Sequence, residues 1–104
     1  MFEQIKKRDG RVAEFDSSKI TNAIAKAGEA TGEFDEKLAR KMTMKVVTLA
    51  RDMRLGPVPE VEDIQDIVER VLLDSPFYKT AKAYIIYREQ HNQIRRIAID
   101  QNVD

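Results

Sequence analysis

Three stretches of this chain gather side chains able to hold an anion. The first is Lys6-Lys7-Arg8, closed by Asp9-Gly10 and answered by Arg11. If Asp9-Gly10 forms a two-residue hairpin turn, Arg8 faces Arg11, Lys7 faces Val12, Lys6 faces Ala13 and Ile5 faces Glu14. Like charges set opposite one another destabilise a strand pair, and a bound polyanion would relieve them. Alternation then puts Lys7 on the face of Ile5 and Val12, while the competing choice turns Phe2, Ala13 and Phe15 inward. The plainer reading makes these cations a solvated strand tip that guards a sheet edge.

The second stretch is Asp16-Ser17-Ser18-Lys19, with Asn22 one turn further on. Asp16 suits a helix N-cap, and the free N–H groups of a helix start attract negative charge. Lys19 in that first turn opposes the helix dipole unless an anion is near. Asn22 could hydrogen-bond a sugar or a base. The third stretch holds Tyr84, Arg88, His91 and Arg95 at helical spacing along one side. Such a stripe could stack a purine or hold phosphate, or simply form the polar margin of an amphipathic helix. Glu62, Asp63, Asp66 and Glu69 are spaced as a solvent face, without the oxygen spacing of a calcium loop.

Composition narrows the chemistry. The chain has 104 residues, no cysteine and one histidine, His91. Thiolate nucleophiles, Cys-based metal sites and multi-His metal sites are therefore excluded. The 18 basic and 18 acidic residues cancel, so no bulk field favours nucleic acid or an anionic membrane. No apolar run approaches the ~20 residues of a membrane span. The N-terminus lacks the apolar core of a signal peptide, which makes the cytoplasm the expected location. A kinase or ATPase reading is disfavoured, since a phosphate loop ending in Gly-Lys-Ser/Thr and an obvious general base beside the phosphates are both lacking.

These stretches must be positioned by a small set of elements. Phe2–Arg8 and Arg11–Phe15 read as a hairpin. A first helix follows Asp16, with Ile20, Ala23, Ile24 and Ala27 on its apolar face, and Gly28 and Gly32 bracket its exit. A second runs from near Asp35 to about Arg54 on the stripe Leu38, Met42, Val46, Leu49, Ala50 and Met53. Val58, between Pro57 and Pro59, leaves room for a short edge-strand stub. A third helix starts near Glu60 and buries Val61, Ile64, Ile67, Val68, Val71 and Leu72. Ser75-Pro76 reads as the N-cap and first position of a fourth helix carrying Ala81, Tyr84 and Ile85. The expected class is α+β, a four-helix bundle capped by a small antiparallel sheet, with residues 101–104 a frayed tail or the start of a linker.

Four blocks in this order resemble one known family. Lys7-Arg8-Asp9-Gly10, Phe15-Asp16 with Lys19-Ile20, Ile64-Gln65-Asp66-Ile67-Val68-Glu69, and Ala81-Lys82-Ala83-Tyr84-Ile85-Ile86-Tyr87-Arg88 are similar to the ATP-cone domain. Tyr87-Arg88-Glu89-Gln90 is most similar to the N-terminal regulatory domain of anaerobic ribonucleoside-triphosphate reductases. The resemblance covers about residues 3–96. It implies a non-catalytic module that binds ATP or dATP, with Mg²⁺ on the phosphates, and controls overall activity of a ribonucleotide reductase. The reductase's catalytic domain or subunits would be its partners, and no cofactor would be held by protein ligands. A zinc-ribbon repressor of reductase genes is another family host, which the missing cysteines disfavour.

By the resemblance, Lys7 and Arg8 meet phosphates and Ile5 lies against the base through its backbone. The stretch Ala13 to Asp16, including Glu14, and Lys19 fall on nucleotide-contacting positions. Gln65, Arg88 and His91 fall where polar side chains of the third and fourth helices approach the phosphates. Family members often carry lysine or histidine at these helical positions, and one or two nucleotides per domain are both open. The residues thus expected at the site are Ile5, Lys7, Arg8, Glu14, Asp16, Lys19, Asn22, Gln65, Arg88 and His91. The alternative is a helical protein-interaction module indifferent to nucleotide. The end of the sequence after a long helix fits a domain cut from a larger reductase.

Overall fold

The computed structural model describes the backbone of residues 3–101 and the side chains of residues 3–94. Strands β1 (Gln4–Lys6) and β2 (Val12–Glu14) form an antiparallel ribbon, followed by helices α1 (Ser17–Thr31), α2 (Glu36–Asp52), α3 (Val61–Leu73) and α4 (Tyr78–Gln101). The ribbon and the four helices confirm the α+β expectation.

The hairpin register differs by one residue from the one expected. Gln4 pairs with Glu14, Ile5 with Ala13 and Lys6 with Val12. Lys7 N–H donates to the Arg11 carbonyl (2.7 Å) and Gly10 N–H to the Lys7 carbonyl (2.9 Å). The loop is therefore the three residues Arg8-Asp9-Gly10, with Gly10 at a φ of 90° that suits glycine. This register sets Ile5 and Ala13 together on the bundle side, where Ile5 packs against the core. Val12 is correspondingly turned out and 53% exposed, so its expected place beside Ile5 is corrected. The expectation for Phe2 lies outside the described residues.

Asp16 caps α1 as the sequence suggests: its carboxylate accepts from Ser18 N–H at 3.0 Å. Gly32 closes the helix in the left-handed region, φ 74°. Inside α1, Gly28 lies beneath the Phe34 ring, and a Cβ there would fall 2.3 Å from a ring carbon. Phe34 in turn meets Phe77 edge to face, with ring centroids 5.0 Å apart.

Asp35 caps α2, accepting from Lys37 and Leu38 N–H. Its buried positions are Ala39, Met42, Thr43, Val46 and Ala50. Met53, expected in that stripe, is 47% exposed because the helix stops at Asp52 and Met53 leaves its periodicity. Thr21 of α1 and Thr43 of α2 pair their hydroxyls at 2.7 Å in the interior, and Thr43 also donates to the Ala39 carbonyl. Each buried hydroxyl is thus satisfied.

The stub expected at Val58 reduces to one parallel bridge, Lys6 with Glu60, made by Lys6 N–H donating to the Pro59 carbonyl at 2.9 Å. Pro57 and Pro59 bring no N–H of their own, so a longer ladder cannot form there. Glu60 and Asp63 make a reciprocal capping box at the start of α3.

Helix α4 begins later than Ser75-Pro76 suggests. Ser75 Oγ accepts from Phe77 N–H, the bond expected of a cap, and also donates to the Leu72 carbonyl at the end of α3, while the helix itself starts at Tyr78. The first turn of α4 is served as well by Glu33, whose carboxylate accepts from both the N–H (2.6 Å) and the hydroxyl (2.7 Å) of buried Thr80. Around the core, α1 packs on α2 and α4, and α3 packs on α2 and α4. Ile24, Ala39, Val46, Leu72 and Ala81 lie at its centre. Gln101 closes α4, and the tail expectation for the remaining residues lies outside those described. None of the described helices is long and apolar enough to cross a membrane.

Candidate functional site

A hollow of about 390 Å³ opens between the ribbon and helices α1, α3 and α4. That volume is within the ~300–1,000 Å³ usual for small-molecule sites. Its floor is apolar, made by Ile5, Ala13, Ile20, Ala23, Ile64 and Val68. Its rim is charged. Lys7 and Arg8 come from the hairpin end, Lys19 from the first turn of α1 and Arg88 from α4. Four cations from three separate stretches of the chain therefore meet around one concavity, in a protein whose net charge is zero.

Of the ten residues expected at the site, Ile5, Lys7, Arg8, Glu14, Asp16, Lys19, Gln65, Arg88 and His91 line the hollow. Asn22 does not; it is exposed elsewhere on α1. The one-sided stripe of α4 is realised in Tyr84, Arg88 and His91, while the Arg95 side chain lies outside the described residues. Tyr87 joins them, its ring 4.2 Å from that of His91 and inclined by 43°.

The electrostatics of the rim follow from its hydrogen bonds. Asp16 is held below its ordinary pKa by the hydroxyl and N–H of Ser18, with a further contribution from the Lys19 charge. Asp9, in the loop, is lowered chiefly by the Arg11 N–H and then by the Arg11 guanidinium. Burial works against the charge on Arg88, but its bonds to Asp66 and Glu69 outweigh that and raise its pKa. Tyr84, 5% exposed, is pushed up to about 12 by burial, against the pull of Arg88. Its phenol is thus neutral throughout the physiological range and available as a hydrogen-bond donor.

One group of functional neighbours escaped the sequence reading. Glu62, Asp66 and Glu69 stand on the outer side of α3 as expected, yet each reaches a guanidinium. Arg8 pairs with Glu62, and Arg88 pairs with Asp66 at 2.8 Å and Glu69 at 3.0 Å. Between them, the Gln65 side-chain oxygen accepts from Arg8 at 2.5 Å and from Arg88 at 3.1 Å. The available signal was spacing: Glu62, Gln65, Asp66 and Glu69 fall on one helical stripe. Among the described residues, no group of three or more His, Cys, Asp or Glu is placed to hold a metal ion.

This arrangement can bind a multiply charged anion at the rim and an apolar, planar group on the floor. A family model described as the ATP cone domain matches residues 3–93. A vitamin B12-dependent ribonucleoside-diphosphate reductase of Thermoplasma acidophilum is 41% identical over 100 residues, covering 91% of this chain and 13% of that protein. An anaerobic ribonucleoside-triphosphate reductase of Haemophilus influenzae is 36% identical over 89 residues, covering 86% of this chain and 12% of the relative. The α subunit of a ribonucleoside-diphosphate reductase of Chlamydia pneumoniae is 33% identical over 96 residues, 86% of this chain and 9% of the relative. The chain thus spans about a tenth of the length of these proteins. Because the family match takes in the ribbon, the α1 cap and every helix that borders the hollow, this chain belongs to the ATP-cone family.

Proposed function

We propose that this chain is a regulatory module that takes ATP or dATP into the hollow and thereby controls the overall activity of a ribonucleotide reductase. The observation that carries this reading is the convergence of Lys7, Arg8, Lys19 and Arg88 above an apolar floor. The triphosphate lies along these cations, with Mg²⁺ carried on the phosphates, and the purine rests against Ile5 and its apolar neighbours. The module performs no chemistry itself; residues 1–100 form the nucleotide-binding unit and the reductase's catalytic domain or subunits are its partners. Regulation requires that ATP and dATP favour different arrangements of the partner, since a ligand with equal affinity for both states shifts nothing. The 2′-OH is the group to be sensed, and one buried hydrogen bond to it is worth about 1–3 kcal/mol.

Calorimetric titration of ATP and dATP, with Mg²⁺, tests the reading directly. Both nucleotides are expected to bind, and Lys7→Ala to weaken them about tenfold, as loss of one charge-assisted contact does. Absence of heat from either nucleotide at millimolar concentration would overturn the function. Unchanged affinity in Lys7→Ala would overturn the site.

A further inference from the structure

The four rim cations are of two kinds. Lys7 and Lys19 form no ion pair among the described residues, whereas both arginines are already engaged by α3. Arg8 reaches 54 positions along the chain to Glu62, so this contact ties the hairpin loop to the helix. Arg88 is held by Asp66 and Glu69, and its side chain is only 13% exposed. Gln65 joins the two systems through its single shared oxygen.

We infer that the α3 stripe of Glu62, Gln65, Asp66 and Glu69 is a built-in competitor for phosphate, which sets the number of phosphates a ligand must carry. This inference rests on the nucleotide reading of the hollow. A carboxylate on a guanidinium occupies the same donors that a phosphate oxygen would take. A short ligand with one phosphate is served by Lys7 and Lys19 and leaves the arginines with α3. A triphosphate is long enough and charged enough to reach the arginines, and it gains them only by displacing the carboxylates. The two contacts differ in strength. Glu62 is 54% exposed, so its pairing is weak and readily exchanged. Arg88, more buried and doubly paired, gives way second. Glu62 and Glu69 are therefore specificity-determining residues that need not touch the ligand: whatever a ligand spends in displacing them is returned when they are neutralised.

The test uses the 104-residue chain with Glu62→Gln and Glu69→Gln, each keeping the side-chain shape while removing the charge. Asp52→Asn, on the separate groove between α2 and α3, removes an equal charge away from the hollow. Affinities for AMP, ATP and inorganic tripolyphosphate are measured by calorimetry at constant ionic strength. In Glu62→Gln, ATP and tripolyphosphate are expected to tighten about two- to fivefold, the range of an exposed ion pair, with AMP unchanged. Glu69→Gln should show the same pattern, and Asp52→Asn should change none of the three. The competitor role is overturned if AMP tightens as much as ATP, if Asp52→Asn reproduces the effect, or if neither glutamine variant alters ATP binding. Should neither ATP nor tripolyphosphate bind any form of the protein, the nucleotide reading fails together with the inference. Normal ATP binding that ignores Glu62 and Glu69 removes the inference alone.

Discussion

Tyr84 carries a consequence that its position alone dictates. It is 5% exposed, and burial raises its pKa from 10.0 to about 12. The folded state therefore holds the phenol proton more tightly than the unfolded chain does. That preference contributes fully below pH 10 and is lost as pH climbs through about 12. Chemical denaturation at pH 9 and pH 11.5 should show wild type losing on the order of 2 kcal/mol over this interval. Tyr84→Phe should lose distinctly less, and an equal loss in both would show that Tyr84 does not titrate this way. The capping role of Asp16 follows from local chemistry and was legible in the sequence, as was the placing of Lys7 and Lys19 beside one hollow. Glu62 was not. An acid on the outer side of a helix reads the same whether it meets water or a guanidinium delivered from 54 positions away.

The hairpin and the start of α4 mark where local reasoning about elements gives out. Asp9-Gly10 suits both a two-residue turn and the three-residue loop observed, because each needs a positive φ at Gly10. What decides between them is Ile5 and Ala13 facing the bundle, a tertiary contact. Ser75-Pro76 likewise satisfies every local rule for a helix start. A long-range partner for the first turn of α4 is Glu33, 47 positions earlier. Glu33→Ala would leave the N–H and hydroxyl of fully buried Thr80 without this acceptor. A stability loss of about 1–3 kcal/mol is expected, measurable by urea denaturation. A loss near zero would show that another acceptor takes over.

At the scale of the whole molecule, the hollow is bordered by the ribbon, α1, α3 and α4, with no lining residue from α2. A ligand seated there touches elements that unfolding would separate, so binding and folding must be linked. At a hundred times its dissociation constant, ATP should stabilise the chain by about 2.7 kcal/mol, raising the thermal midpoint on the order of 10 °C. Differential scanning calorimetry would read this shift, and Lys7→Ala at the same ATP concentration should show much less of it. An ATP-independent midpoint would contradict the linkage. The bundle was readable because helical periodicity and capping are local properties, and the family through the resemblance of four spaced blocks. The closing of cations and carboxylates into one network was not, because it depends on which helix faces meet. The bond from Lys6 to Pro59 gives that network a mechanical side. Pro59 is fully buried and immediately precedes the residue that caps α3. The ribbon is consequently hinged to a helix rather than hung from a slack loop, and lifting it must either snap that joint or lever the start of α3 with it.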